Sequence, residues 1–322
     1  MTSAEPAARE TNPAKVVAGF VALALLAGPI TTFAFTPYPF AMPWWTPLGS
    51  AASSLLAGTA LLLVCVARKR RMLDAKQWLV LLVLLLPQWL SSPLSAPAIR
   101  SFPWLHETGW GVAFLVALAA PLWLALLSAL QLVTAPVPRA VVGATIAGIA
   151  AVCLVIPTEA YAIALKQTPV LVFQMLLAIL TVFSWAYARP RLGGGTLAVA
   201  GSYLMLSALG NAGFWLLFEG SAWQPIGWVE WRQMATPLLV QAAVIGATWW
   251  LWFWLLQRMT LAAFAMRALA TWTASILPGF VLFGFMSWRV DLALGIAAAA
   301  VVVALRARVT DEQPVVLGLG GP

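Results

Sequence analysis

Residues 48–71 read LGSAASSLLAGTALLLVCVA followed at once by RKRR: an uncharged run over 48–67, then Arg68, Lys69, Arg70 and Arg71. About 20 apolar residues are what a helix needs to cross the hydrocarbon core of a bilayer. A cluster of cations at one end of such a run marks the side of the membrane on which that end stays. The stretch therefore reads as a membrane span whose exit is cytoplasmic. The basic run itself is a topology signal rather than a nucleic-acid patch.

The same reading repeats outward along the chain. Candidate spans are 16–36, 48–67, 77–95, 111–132, 140–157, 169–187, 196–218, 236–257, 263–286 and 290–306. The chain is 62% hydrophobic and 9% charged, with mean hydropathy +0.93. A soluble domain of 322 residues could not cover that much apolar surface with its polar residues. The fold class expected is all-α integral membrane, with ten transmembrane helices.

Thirteen of the 18 Lys and Arg residues fall on one face of this arrangement: Arg9, Lys15, Arg68, Lys69, Arg70, Arg71, Lys76, Arg139, Arg189, Arg191, Arg258, Arg306 and Arg308. The other face receives Arg100, Lys166, Arg232 and Arg289, and Arg267 falls inside a span. The expectation is a multi-pass protein of the inner (plasma) membrane with both termini cytoplasmic. The net charge of +8 then needs no nucleic-acid partner. Residues 1–15 read as a disordered cytoplasmic N-terminus and 307–322 as a cytoplasmic tail. The first apolar stretch is too long for a signal-peptide core and reads as a retained helix. Cys65, Cys153 and one histidine, His106, offer no metal-binding spacing, so no metal and no cofactor are expected.

The ten spans divide into two groups of five, 16–157 and 169–306, around an external linker at 158–168. An odd number per group turns the second upside down relative to the first, the arrangement of inverted-repeat secondary transporters. Landmarks recur: Pro121 and Pro278 interrupt the fourth helix of each group, and each fifth helix is short and rich in Gly and Ala, over 142–148 and 294–300. These small faces suit helix packing within the bundle or a homodimer contact.

The residues Ala247-Thr248-Trp249-Trp250-Leu251-Trp252-Phe253-Trp254-Leu255-Leu256-Gln257-Arg258, continuing to Arg308, resemble the eighth to tenth helices of the EamA-like branch of the drug/metabolite transporter superfamily. Ala119-Ala120-Pro121-Leu122 resembles that family's fourth-helix proline, and Gly143 stands where its fifth-helix glycine falls. The chain departs from the pattern where Val133-Thr134 and Ser287-Trp288 replace a common Gly-Glu pair, and Pro278 lies about two turns beyond the repeat position near Thr271. The resemblance implies a transporter with its cavity formed by helices 1, 3, 4, 6, 8 and 9.

Glu107, Glu159, Glu219, Glu230 and Asp291 sit at or beyond the outer helix ends, and the remaining acids are cytoplasmic, so no carboxylate is expected at mid-membrane. That favours a facilitator or exchanger over a pump built on a buried acid. His106 and Glu107 open the fourth helix together; a pH-sensitive gate and a carboxylate favoured by the helix dipole are both open readings. Arg267 either snorkels to the headgroups or faces the cavity, where it would favour an anionic substrate. Neutral candidates for substrate contact are Gln88 behind Pro87, Gln174, Thr271, Thr273 and Ser275. Aromatic candidates are Trp89, Trp123, Trp250 and Trp272, with Pro121 as a hinge beside Pro29 and Pro87. On the eighth helix Trp250 and Trp254 share one face while Trp249 and Trp252 share another. Tyr203, Ser207 and Asn211 form a polar stripe at i, i+4, i+8, expected to be a hydrogen-bonded helix contact because the resemblance leaves the seventh helix out of the cavity.

The functional expectation is a transporter of a small amphipathic or apolar organic metabolite, amino-acid-like in kind. It would act as an exporter, facilitator or exchanger by alternating access, with lipid and the substrate as its partners. A membrane enzyme or a non-transporting subunit is the rival, and the chain shows no convergent set of catalytic residues for the former.

Overall fold

A run such as 48–67 has no water to satisfy its peptide groups in hydrocarbon, so it must bond internally as helix. In the computed structural model, which describes residues 13–30, 45–101, 115–156, 161, 168–193, 195–218, 228–283 and 287–307, that run lies in helix α2. No strand occurs among the described residues.

In chain order the helices are α1 (Pro13–Leu25, widening to a π-helical turn over Leu26–Ile30), α2 (Trp45–Ala67), α3 (Ala75–Ser101), α4 (Ala120–Ala129), α5 (Arg139–Val155), α6 (Thr168–Ala188), α7 (Thr196–Phe218), α8 (Trp228–Leu256), α9 (Leu261–Ala265), α10 (Arg267–Phe283) and α11 (Trp288–Arg306). Four contain segments long and apolar enough to cross a membrane: Gly49–Ala67, Leu171–Ala188, Ala235–Leu256 and Trp288–Arg306. The architecture is thus that of an apolar helical protein compatible with a membrane.

Local chemistry sets the ends. Helix α2 stops with Lys69 in the left-handed region (φ 50) and the Arg70 N–H donating to the Cys65 carbonyl at 3.0 Å, a Schellman closure built without glycine. Helix α3 starts on a capping box. The Gln77 N–H donates to Asp74 Oδ1 at 2.8 Å, and the Asp74 N–H donates back to Gln77 Oε1 at 3.1 Å.

Helices α2 and α7 form the most extensive pair. The Asn211 amide donates to Ser50 Oγ at 3.4 Å, whereas Leu62 packs on Gly201, so the two helices run antiparallel. Gly58 and Gly201 lie at their crossing, where each backbone closes on the other. Helix α8 lies along α2 in parallel, with the Ser53 hydroxyl donating to Gln241 Oε1 at 2.6 Å and Ala57 beside Gly246. Helix α3 lies along α7 in parallel, through Gln88–Tyr203 and Trp89–Gly210. The Gly/Ala-rich helices α5 and α11 pack against each other inside the chain, while Gly143 and Gly295 have nothing within 4 Å of the place a Cβ would occupy.

The proline expectations need revision. Pro121 occupies the first turn of α4, where its missing N–H costs little, after a break at Ala119 (φ −74, ψ 4). In the second half the break falls at Met266 (φ −73, ψ −4), between α9 and α10, and helix continues through position 278. Helix α3 runs unbroken past Pro87, and Pro29 lies in the π-helical turn where Gly28 meets Thr271 and Ser275 of α10.

Candidate functional site

The break at Met266 decides where the Arg267 side chain goes. It ends α9 and makes Arg267 the first residue of α10, so the side chain leaves the helix toward α6 and α8 rather than along its own axis. The guanidinium lies 4.0 Å above the Trp185 ring, 5.1 Å from the Phe264 ring centre and 5.7 Å from that of Trp252. Its Nη1 is buried without a hydrogen-bond partner. Among the described residues no carboxylate pairs with it. The Arg267 side chain therefore points at the rings of α6, α8 and α9.

A cavity of about 350 Å³ opens beside it. Its walls are Leu84, Pro87 and Gln88 from α3, Leu177, Ala178, Thr181 and Trp185 from α6, Tyr203 from α7, Trp249 and Trp252 from α8, and Arg267. The volume is within the usual range for small-molecule sites, ~300–1,000 Å³. Each helix contributes a face at helical spacing: 84 and 88 on α3, and 177, 181 and 185 on α6. The Tyr203 hydroxyl donates to Gln88 Oε1 at 2.8 Å, tying the α3 and α7 walls together. The Thr181 hydroxyl donates back to the Leu177 carbonyl at 2.7 Å, leaving its oxygen able to accept.

Aromatic rings build the remaining wall and the floor. Trp185, Trp252 and Phe264 meet edge to face, with centroids 6.2, 5.7 and 5.0 Å apart. Trp249 bridges from Trp252 at 5.4 Å to Tyr203 at 4.3 Å. Beyond this floor the segment between α6 and α7 is tied down. The Gln257 amide donates to the Leu192 carbonyl at 3.0 Å, the Thr196 hydroxyl donates to Gln257 Oε1 at 3.3 Å, and the Gln77 amide donates to the Gly193 carbonyl.

Of the residues singled out from sequence, Gln88 and Arg267 line this cavity. Trp89, one position on, packs over Gly210 with its indole N–H buried and unbonded. Trp123 donates to the Val116 carbonyl at 3.1 Å across the Ala119 break, and Pro121 is buried beside it. Thr271 and Ser275 meet Gly28 at the α1–α10 contact, with the Ser275 hydroxyl donating to the Thr271 carbonyl at 2.8 Å. Trp272 packs partly buried against the main core, and Gln174 is half-buried two turns before Thr181. Trp250 is 37% exposed and points away from the cavity, whereas Trp252 is 7% exposed and lines it. His106 and Glu107 lie outside the described residues.

Sequence reasoning does not name Thr181, Trp185 or the Trp249–Trp252 face as lining. The expected helix contacts of the polar stripe are present, Asn211 to α2 and Tyr203 to α3, and Tyr203 lines the cavity as well. The available signal was Arg267. A cation without a carboxylate partner is favoured by ring faces around it, and Trp185 of α6 supplies one.

No family model and no curated protein matches the chain. Among solved structures, one described only as "Crystal structure of protein" superposes with a TM-score of 0.62 at 21% identity, covering 90% of this chain and 98% of that one. At that identity the likeness concerns the fold alone.

Proposed function

We propose that the chain is a ten-span membrane transporter made of two inverted five-helix repeats, with the Arg267 cavity as its substrate site. The observation that carries this reading is a bundle in which four helix contacts recur when the halves are exchanged, with a walled cavity lined from both. Taking α9 and α10 together as the ninth span, exchanging each helix with the one five spans on turns α2·α8 into α7·α3, α3·α6 into α8·α1, α1·α10 into α6·α4 and α10·α11 into α4·α5. All eight pairs are in contact.

The N-caps of α5 and α11, Pro138 and Ser287, stand 149 residues apart. The breaks at Ala119 and Met266 share nearly the same backbone angles and differ by 147. The parallel and antiparallel senses of α2, α3, α7 and α8 are those that ten alternating crossings require.

Such a molecule moves a small organic solute by rocking one repeat against the other about the α2–α7 crossing. The resemblance to EamA-like transporters, residence in the inner membrane with cytoplasmic termini, and facilitator or exchanger action belong to the same reading. Flux of a labelled metabolite panel into proteoliposomes holding the full chain tests it. Uptake above empty liposomes is expected, reduced by filling the cavity through Ala178→Trp. Absence of flux from folded protein across the panel refutes it.

A further inference from the structure

Among the described residues the lining of the cavity carries one formal charge, and that charge is positive. Arg267 is held by ring faces alone, with Nη1 buried and unbonded, and no described lining residue is acidic. Taking a guanidinium out of water costs several kcal/mol, and ring faces return only ~2 kcal/mol. Its position at the start of α10 adds the positive end of that helix's dipole, which opposes a cation. All three circumstances are relieved by one event, the arrival of an oxyanion.

Resting on the transporter reading above, we propose that the substrate is an organic monoanion: a carboxylate carried on a flat apolar body, without a compensating ammonium group. The planar guanidinium presents paired donors that match a carboxylate. Trp249 and Trp252 present ring surface to the cavity, against which a flat apolar body can lie, and Leu84 and Leu177 add apolar lining. An ammonium group would find no carboxylate in the described lining and would stand near Arg267 with like charge. Zwitterions and amines are therefore disfavoured against the simple acid.

Four compounds sharing one body separate these cases: 3-phenylpropionate, 3-phenylpropanamide, phenylalanine and phenethylamine. Binding to the purified full chain in detergent is followed by quenching of tryptophan fluorescence and by thermal shift. The acid is expected to bind at least ~30-fold more tightly than the amide, as loss of a buried charge pair requires, and the zwitterion and amine more weakly than the acid. Arg267→Gln should abolish the preference of acid over amide, and Arg267→Lys, which keeps the charge and guards against misfolding of the first variant, should retain part of it. The inference is overturned if the amide, zwitterion or amine binds as well as the acid, or if Arg267→Gln leaves the preference intact. Binding without charge preference that Ala178→Trp blocks would refute the anion but keep the cavity as the site. No binding by any of the four refutes the substrate class, and flux of the wider panel then decides separately whether the chain transports.

Discussion

Replacing Gly58 with alanine tests the crossing about which the two halves are proposed to move. A Cβ there would lie 2.9 Å from the Gly201 carbonyl oxygen and 3.1 Å from the Met205 amide nitrogen. Ordinary carbon–oxygen contacts are ~3.3–3.6 Å. Both neighbours are backbone, so α2 and α7 must separate by about half an ångström along their most extensive contact, and overpacking of this kind costs ~1–3 kcal/mol. The same substitution also gains ~0.5–1 kcal/mol of helix propensity, which blurs its sign taken singly. Gly143→Ala isolates the packing effect, because nothing lies within 4 Å of its Cβ and it receives the propensity gain alone. The full chain, reversibly unfolded by SDS in mixed micelles and followed by tryptophan fluorescence, should therefore be ~1–3 kcal/mol less stable as Gly58→Ala than as Gly143→Ala. Equal stability of the two variants would refute the close crossing.

Trp252→Leu should destabilise the fold by ~1–3 kcal/mol, since its ring is buried among Trp185, Trp249 and Phe264, while Trp250→Leu should stay within ~0.5 kcal/mol; chemical unfolding of both variants checks the contrast. Tyr203→Phe removes the donor to Gln88 and should cost about 1 kcal/mol of stability, read in the same titration. Gln257→Leu severs the ties to Leu192 and Thr196, and a cysteine placed at Thr181 should then react several-fold faster with a membrane-impermeant maleimide added on the side of the basic loops. An unchanged labelling rate would show that this latch does not close the cavity.

How much of the site could be read in advance varies residue by residue. Arg267 is legible as the one charge inside an expected span, but its neighbours are not: the break at Met266 and Trp185, from a helix some eighty residues away, set it against aromatic rings. The eighth helix shows the same division. Helical periodicity separates Trp249 and Trp252 from Trp250 and Trp254, but only the packing of α6 and α7 against α8 says which pair is turned inward. The polar stripe at i, i+4, i+8 is a hydrogen-bonded helix contact at both ends, Tyr203 to α3 and Asn211 to α2, and periodicity does not announce that Tyr203 borders the cavity as well. The fourth-helix proline of the second half was sought at Pro278, whereas the backbone breaks at Met266, which no proline or glycine announces.

By itself the sequence determined the helical class, because long uncharged runs must satisfy their peptide groups internally and carry too much apolar surface for a soluble shell. It also determined how few charges the chain carries, 9% of its residues, since charge content is a property of the list of residues. Only the tertiary structure decided which faces meet, and with them the cavity, its aromatic floor and the unpaired guanidinium. Those depend on contacts between residues far apart in the chain, where local periodicity assigns faces to a helix but not neighbours to a face.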